Sequence, residues 1–202
     1  MLLSEAYNWL IQSQRRIQVM SKLIQPMTVK QLHHNTVMSL DSGSYILYEL
    51  EVYGLVKCLN SCARRSRVYW LTERGKSCQK IIRLQLRLPQ LKYDFPSVDW
   101  KLYGWVCFSH RNAVLKTLVE PMQPSEIVEP MQPSEIKRKA HFHNPNLRMS
   151  ANNVRDVIRL FLEKGVVESI ETKAKAHPRY QLTEIGKKLQ LLLFRAETVS
   201  DS

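Results

Sequence analysis

The chain carries the same passage twice. Arg16–Leu32 reads RIQVMSKLIQPMTVKQL, and Arg111–Ile127, shifted by 95, reads RNAVLKTLVEPMQPSEI. Tyr53–Leu59 (YGLVKCL) is answered by Lys164–Ile170 (KGVVESI), shifted by 111. Arg67–Lys76 (RVYWLTERGK) is answered by Arg179–Lys187 (RYQLTEIGK). Three matched blocks in one order mean two copies of one unit. A period of about 100 residues is a domain, too long for a solenoid repeat. The chain's 202 residues then divide into a first domain of 1–92, a linker of 93–98 and a second domain of 99–202. Each domain is large enough for its own core.

Periodicity and capping signals give the element order within a copy. Leu10, Ile17, Met20, Leu23 and Ile24 fall on one helical stripe, which predicts a helix over Leu3–Ile24 that Gln25-Pro26-Met27 stops. Thr28 and Gln31 form a capping-box pattern and open a short second helix through His34. Asp41 or Ser42 caps a third helix ending near Tyr53, with Gly54 as its left-handed stop. Leu55–Leu59 and Val68–Leu71 read as strands around a polar, basic tip, Asn60–Ser66. Thr72 caps a last helix, Glu73 to about Leu88, and Glu73 suits its positive end. The second copy repeats the order. A helix over Trp100–Val119 is followed by one with Pro133 in its first turn and Glu135 at the position of Gln31. A third, capped by Ser150, spans Ala151–Lys164. A hairpin tip at Thr172–Pro178 and a helix over Thr183–Arg195 complete it. The expected fold is mainly α with small β-hairpins, an α+β arrangement.

This order, with Gly54-Leu55-Val56 … Leu71-Thr72-Glu73-Arg74-Gly75 and again Gly165-Val166-Val167 … Leu182-Thr183-Glu184-Ile185-Gly186, resembles the winged helix-turn-helix unit. It is similar to regulators of the MarR, PadR and ArsR type, and the resemblance covers most of both copies. It implies two DNA-binding units in tandem, each with a third helix for the major groove and a hairpin wing for the backbone or minor groove. Two features depart from that pattern. The segment VEPMQPSEI occurs at Val119–Ile127 and again at Val128–Ile136, and either copy can start the second helix. The segment from Lys137 to Arg148 is longer than its partner and holds the turn signal Asn144-Pro145-Asn146.

Charge points to the same class of partner. The net charge is +12 and the pI about 9.7, which suits a polyanion. Residues 1–92 hold 14 Lys and Arg against 5 Asp and Glu, a balance of +9, whereas 93–202 hold 16 against 13, a balance of +3. The first copy should therefore supply more of the nonspecific phosphate attraction. On the third helix of the second copy, Asn152, Asn153, Arg155 and Arg159 flank an apolar stripe of Val154, Val157, Ile158 and Phe161. Arg pairs with guanine and Asn with adenine, so this face is expected to read bases, with an ordinary solvated helix face as the alternative. The first copy offers Ser42, Ser44, Tyr45 and Tyr48, with Leu47 and Leu50 inward. That face suits phosphate or thymine-methyl contacts, or packing on a protein partner. Arg64, Arg65 and Arg67 crowd the first hairpin tip, and Lys57 leads into it. Lys173, Lys175, His177 and Arg179 do the same in the second. Lys137, Arg138 and Lys139 lie at the second helix of copy two, which crosses the backbone in this motif.

Several other classes find no support. No apolar run approaches the roughly 18 residues of a membrane span, so no membrane partner is expected. The opening MLLSEAYNWL lacks a basic leader and apolar stretch, so no secretion signal is expected. Cys58, Cys62, Cys78 and Cys107 show no repeated CxxC, which suggests free thiols in a reduced cytoplasmic setting, on the nucleoid if the source is prokaryotic. No spacing matches a structural zinc site, and His33-His34 and His141-x-His143 read as solvated or packed. There is no Gly-rich phosphate loop, HExxH or GxSxG, so neither cofactor nor enzyme activity is expected. Tyr93, Phe95, Trp100, Tyr103, Trp105 and Phe108 make a dense aromatic stretch that reads as core joining the two units. The expected function is sequence-selective binding of double-stranded DNA, with transcription regulation as its purpose. The alternatives are a winged protein-interaction scaffold and a plasmid or viral replication initiator. Apolar stripes on the last helices (Ile81, Ile82, Leu84; Leu189, Leu192, Leu193) suit a homodimer, or a monomer acting as a pseudo-dimer.

Overall fold

The computed structural model describes residues 3–118, 131–143, 148–170 and 179–197. These residues form ten helices and two small antiparallel sheets, a mainly helical α+β architecture. They divide into two compact units. The first is the chain up to Gly104 together with its end from Arg195; the second is Trp105–Phe194.

The first unit runs α1 (Leu3–Ile11), α2 (Gln14–Lys22), β1 (Met27–Thr28), α3 (Val29–His34), α4 (Leu40–Val52), β2 (Val56–Cys58), β3 (Val68–Leu71) and α5 (Glu73–Gln85). The helix expected over Leu3–Ile24 is two, because the Ser13 side chain caps α2 at the Arg16 N–H and restarts the chain there. Thr28 and Gln31 close the capping box of α3. Ser39, rather than Asp41 or Ser42, caps α4 by accepting from the Ser42 N–H. Gly54 follows at positive φ, a conformation that costs glycine little. β3 lies between β1 and β2, with Met27 opposite Tyr69 and Val56 opposite Leu71. Leu10, Met20, Leu23, Leu47, Leu50, Leu55, Leu71 and Ile82 form the core at 1% exposure or less. The segment 93–98, expected as a linker, packs on this core. Tyr93 and Phe95 meet Trp70 edge-on at 5.7 and 5.0 Å, because aromatic area beside a tryptophan gains by burial.

The second unit repeats the order with α6 (Trp100–Val106), which begins in the first unit, α7 (Ser109–Thr117), α8 (Pro133–His143), α9 (Ala151–Glu163), β4 (Val167–Ile170), β5 (Arg179–Leu182) and α10 (Glu184–Glu197). The helix expected over Trp100–Val119 breaks at Cys107–Phe108, matching the break at Ser13. Of the duplicated segments the second supplies α8. The first lies outside the described residues, as do the turn signal Asn144-Pro145-Asn146 and the hairpin tip Thr172–Pro178. Met131, the counterpart of Met27, makes one antiparallel bridge to Tyr180, the counterpart of Tyr69. Phe161, Val154, Val166, Leu189 and Leu193 centre this core. A fully buried Phe is worth about 1.5–3 kcal/mol.

Polar details recur at matching positions. Thr72 Oγ1 donates to the Gly54 carbonyl at 2.7 Å and caps the Gly75 N–H at 3.1 Å. Thr183 does the same to Gly165 at 2.6 Å and Gly186 at 3.2 Å. A Cβ on Gly75 would stand 1.9 Å from the Leu55 carbonyl oxygen, and one on Gly186 2.2 Å from that of Val166, so helix and strand meet where only glycine fits. The repeat also reaches the first helices. Arg16 lies 3.7 Å over the Trp9 ring and donates to the Trp9 carbonyl at 3.0 Å. Arg111 lies 4.1 Å over Trp105 and donates to its carbonyl at 3.1 Å. Burial lowers the Arg111 pKa from its ordinary value.

Candidate nucleic-acid interface

In each unit a serine caps the helix that precedes the last antiparallel strand pair, Ser39 for α4 and Ser150 for α9. In the second unit the capping box of Ser150 and Asn153 fixes the start of α9. Val154, Val157, Ile158 and Phe161 turn into the core, which leaves Asn152, Arg155 and Arg159 on the exposed side. Arg155 donates to the Asn152 carboxamide oxygen at 3.1 Å. Arg159 stands 3.5 Å from Asp156, with the two side chains 70% and 64% exposed. An ion pair this solvated is worth about 0–1 kcal/mol, so a phosphate or base can displace it at little cost. Asn153 is a weaker candidate than the sequence suggested. Its carboxamide oxygen accepts from the Ser150 N–H at 2.9 Å and the Ser150 hydroxyl at 2.6 Å.

The corresponding helix of the first unit, α4, has another chemistry. Tyr45 and Tyr48 are 63% and 62% exposed, beside exposed Leu40 and Val52. Asp41 is the only exposed charged residue on this helix, with Glu49 and Glu51 half-buried. Glu49 pairs with Arg16 through two contacts of 3.2 Å, and Glu51 accepts from the Cys58 N–H at 3.1 Å. Both serines are tied locally: Ser42 accepts from the Ser39 hydroxyl at 3.0 Å, and Ser44 donates to the Leu40 carbonyl at 2.8 Å.

The first hairpin tip is held by a residue that sequence reasoning missed. Asn60, 7% exposed, accepts from the Val68 N–H at 2.8 Å and donates to the carbonyls of Ser66 at 3.2 Å and Trp100 at 3.4 Å. Ser66 sits at positive φ, a left-handed conformation that needs such support in a residue other than glycine. Gly104 lets the tip approach α6, since a Cβ there would lie 2.5 Å from Asn60 Nδ2 and 2.6 Å from the Ser66 carbonyl oxygen. An asparagine closing a strand before a polar loop was the available signal. Beyond this seat Arg64 and Arg65 are exposed, and among the described residues no carboxylate bridges them. Arg67 donates to the Ala63 carbonyl at 3.3 Å, and the nearby Tyr69 phenol holds its pKa above the ordinary value. Burial pushes the Tyr69 phenol up, and the nearby Arg67 guanidinium pulls it partly back.

The remaining cations are placed less completely. Lys137 and Arg138 are exposed on α8, and Lys139 is half-buried there. Arg179 is half-buried at the head of β5, opposite Ile170. Lys173, Lys175 and His177 lie outside the described residues. Of the apolar positions on the last helices, Ile82, Leu189, Leu192 and Leu193 are buried, and Ile81 and Leu84 are exposed. No helix of the described residues is long and apolar enough to cross a membrane. Comparisons with protein-family models, curated proteins and solved structures found no match.

Proposed function

We propose that this chain is a sequence-selective double-stranded DNA-binding protein, a transcription regulator made of two winged helix-turn-helix units. In this reading α4 and α9 are the groove-facing helices and the two hairpins are the wings. Ser42, Ser44, Tyr45, Tyr48, Arg64, Arg65, Arg67, Lys137, Arg138, Lys139, Asn152, Asn153, Arg155, Arg159, Lys173, Lys175 and Arg179 are its candidate contacts. The observation that carries the reading is the exposed, unbridged Arg64–Arg65 pair on a loop that Asn60 and Gly104 seat firmly. A cation cluster that served solubility alone would not need a fixed seat, whereas phosphate contact gains from preorganised donors. Such a regulator works in the cytoplasm, on the nucleoid in a prokaryote, and acts as a homodimer or as a pseudo-dimeric monomer, which light scattering distinguishes.

The test is affinity for random duplex DNA across salt. Each neutralised phosphate contributes roughly 0.9 to the logarithmic salt slope, so a protein with several such contacts loses affinity steeply between about 50 and 200 mM salt. A flat response, or no binding, overturns the proposal. It would favour a protein-interaction scaffold, the reading that the exposed tyrosines of α4 suit best.

A further inference from the structure

We propose, resting on the DNA-binding reading, that the two units divide the work. Helix α9 discriminates sequence, through Arg155 and Arg159 toward guanine and Asn152 toward adenine. The first unit holds the duplex through Arg64 and Arg65 without discriminating. The two helices align in register, which makes the comparison position by position. Their caps, Ser39 and Ser150, are offset by the same shift that relates Tyr53–Leu59 to Lys164–Ile170. The inward positions Ile46, Leu47 and Leu50 answer Val157, Ile158 and Phe161. At the outward positions Asp41 answers Asn152, Ser44 answers Arg155 and Tyr48 answers Arg159.

The chemistry differs at each of these pairs. Guanine shows two acceptors in the major groove, and a guanidinium meets them with two parallel donors. A carboxamide meets the donor and acceptor of adenine in the same way. Nothing exposed on α4 can do either. The Ser44 hydroxyl is committed to the Leu40 carbonyl, a phenol offers one donor, and Asp41 is repelled by phosphate. On α9 the contact between Arg155 and Asn152 at 3.1 Å already holds both side chains over the same exposed face. The charge balance agrees. The first copy carries the larger excess of cations, yet α4 carries none, so its cations serve the backbone.

Selection from random duplexes with the full chain tests the division. One information-rich block containing guanine is expected, with an unselected flank. Arg155→Ala and Arg159→Ala should each lose roughly 5- to 150-fold discrimination at one base while retaining binding to random DNA. Arg64→Ala with Arg65→Ala should weaken all sequences alike and lower the salt slope by roughly 2, leaving the selected block unchanged. Tyr45→Ala with Tyr48→Ala, both in the candidate contact set, should weaken all sequences alike and shift no base preference. Two selected blocks, one of them erased by the tyrosine variants, would overturn the division while leaving the DNA-binding reading intact. So would a block indifferent to Arg155 and Arg159. Failure of the unaltered chain to bind any duplex would remove both.

Discussion

Asn60→Ala is the perturbation that reaches furthest into this account. The Asn60 carboxamide satisfies the buried Val68 N–H at 2.8 Å and the Ser66 and Trp100 carbonyls at 3.2 and 3.4 Å. Alanine leaves all three without that partner. A buried donor left unsatisfied costs about 1–3 kcal/mol, and the two longer contacts add less. The sum is roughly 2–4 kcal/mol, below the total of about 5–15 kcal/mol usual for a domain, so the first unit still folds. Asn60→Asp refines the test. It keeps the acceptor for Val68 but sets an oxygen against two carbonyl oxygens. That environment, with burial, raises the folded-state carboxyl pKa above its unfolded value of about 3.9. The aspartate variant should therefore approach wild type below that pH and lose stability as pH rises through the folded-state value. Urea denaturation of the three proteins across pH measures both effects. An Asn60→Ala midpoint equal to wild type, or an aspartate penalty independent of pH, would refute the account of the hairpin seat.

Other outcomes follow from the repeated junctions and the buried titratable groups. Gly75→Ala and Gly186→Ala should each cost about 3 kcal/mol, because the added Cβ meets backbone at 1.9 and 2.2 Å. Gly165→Ala, with open space but a positive φ, should cost about 1 kcal/mol, and denaturation midpoints in any other order would contradict the packing. Burial raises the pKa of Cys78, Tyr69 and Tyr93, so the stability of their neutral forms is whole below about pH 9 and is lost as pH rises through the folded-state values. Pulse alkylation should label exposed Cys62 in the native chain and Cys78 only on unfolding; equal rates would argue against a sealed core. The Lys187 ammonium, 2.6 Å from Glu184, lowers that carboxyl's pKa, so the pair's small contribution is present above the ordinary carboxyl range and lost as pH falls through the lowered value. Lys187→Met should move the Glu184 titration, followed by NMR, back toward the ordinary range.

The sequence disclosed most where one residue type settles a local choice. Thr28, Thr72 and Ser150 cap the helices that their patterns predict, and Gly54 takes the left-handed stop. Val154, Val157, Ile158 and Phe161 are buried as their spacing requires. Legibility failed where several residues compete or where distant contacts decide. Ser39, Asp41 and Ser42 are all good caps crowded together, and local propensity does not rank them. Ser13 and Phe108 interrupt helices whose apolar stripes run on past the breaks, so periodicity alone joined the pieces. Tyr93 and Phe95 sit in a Pro-bearing stretch and are ordered by Trp70, a partner on the far side of α5 in the chain. The role of Asn60 depends on Trp100, 40 positions away. Of the candidate contacts, Arg64, Arg65, Arg155 and Arg159 stand exposed as expected, whereas Ser42, Ser44 and Asn153 are engaged by neighbouring groups in ways a linear pattern does not reveal.

Contact of both units with DNA is read out by arginine-selective modification of the full chain, with and without a duplex. Bound duplex should protect Arg64, Arg65, Arg155 and Arg159 and leave exposed Arg74 and Arg87 reactive. Unchanged reactivity at all four, or protection confined to Arg74 and Arg87, would contradict that contact.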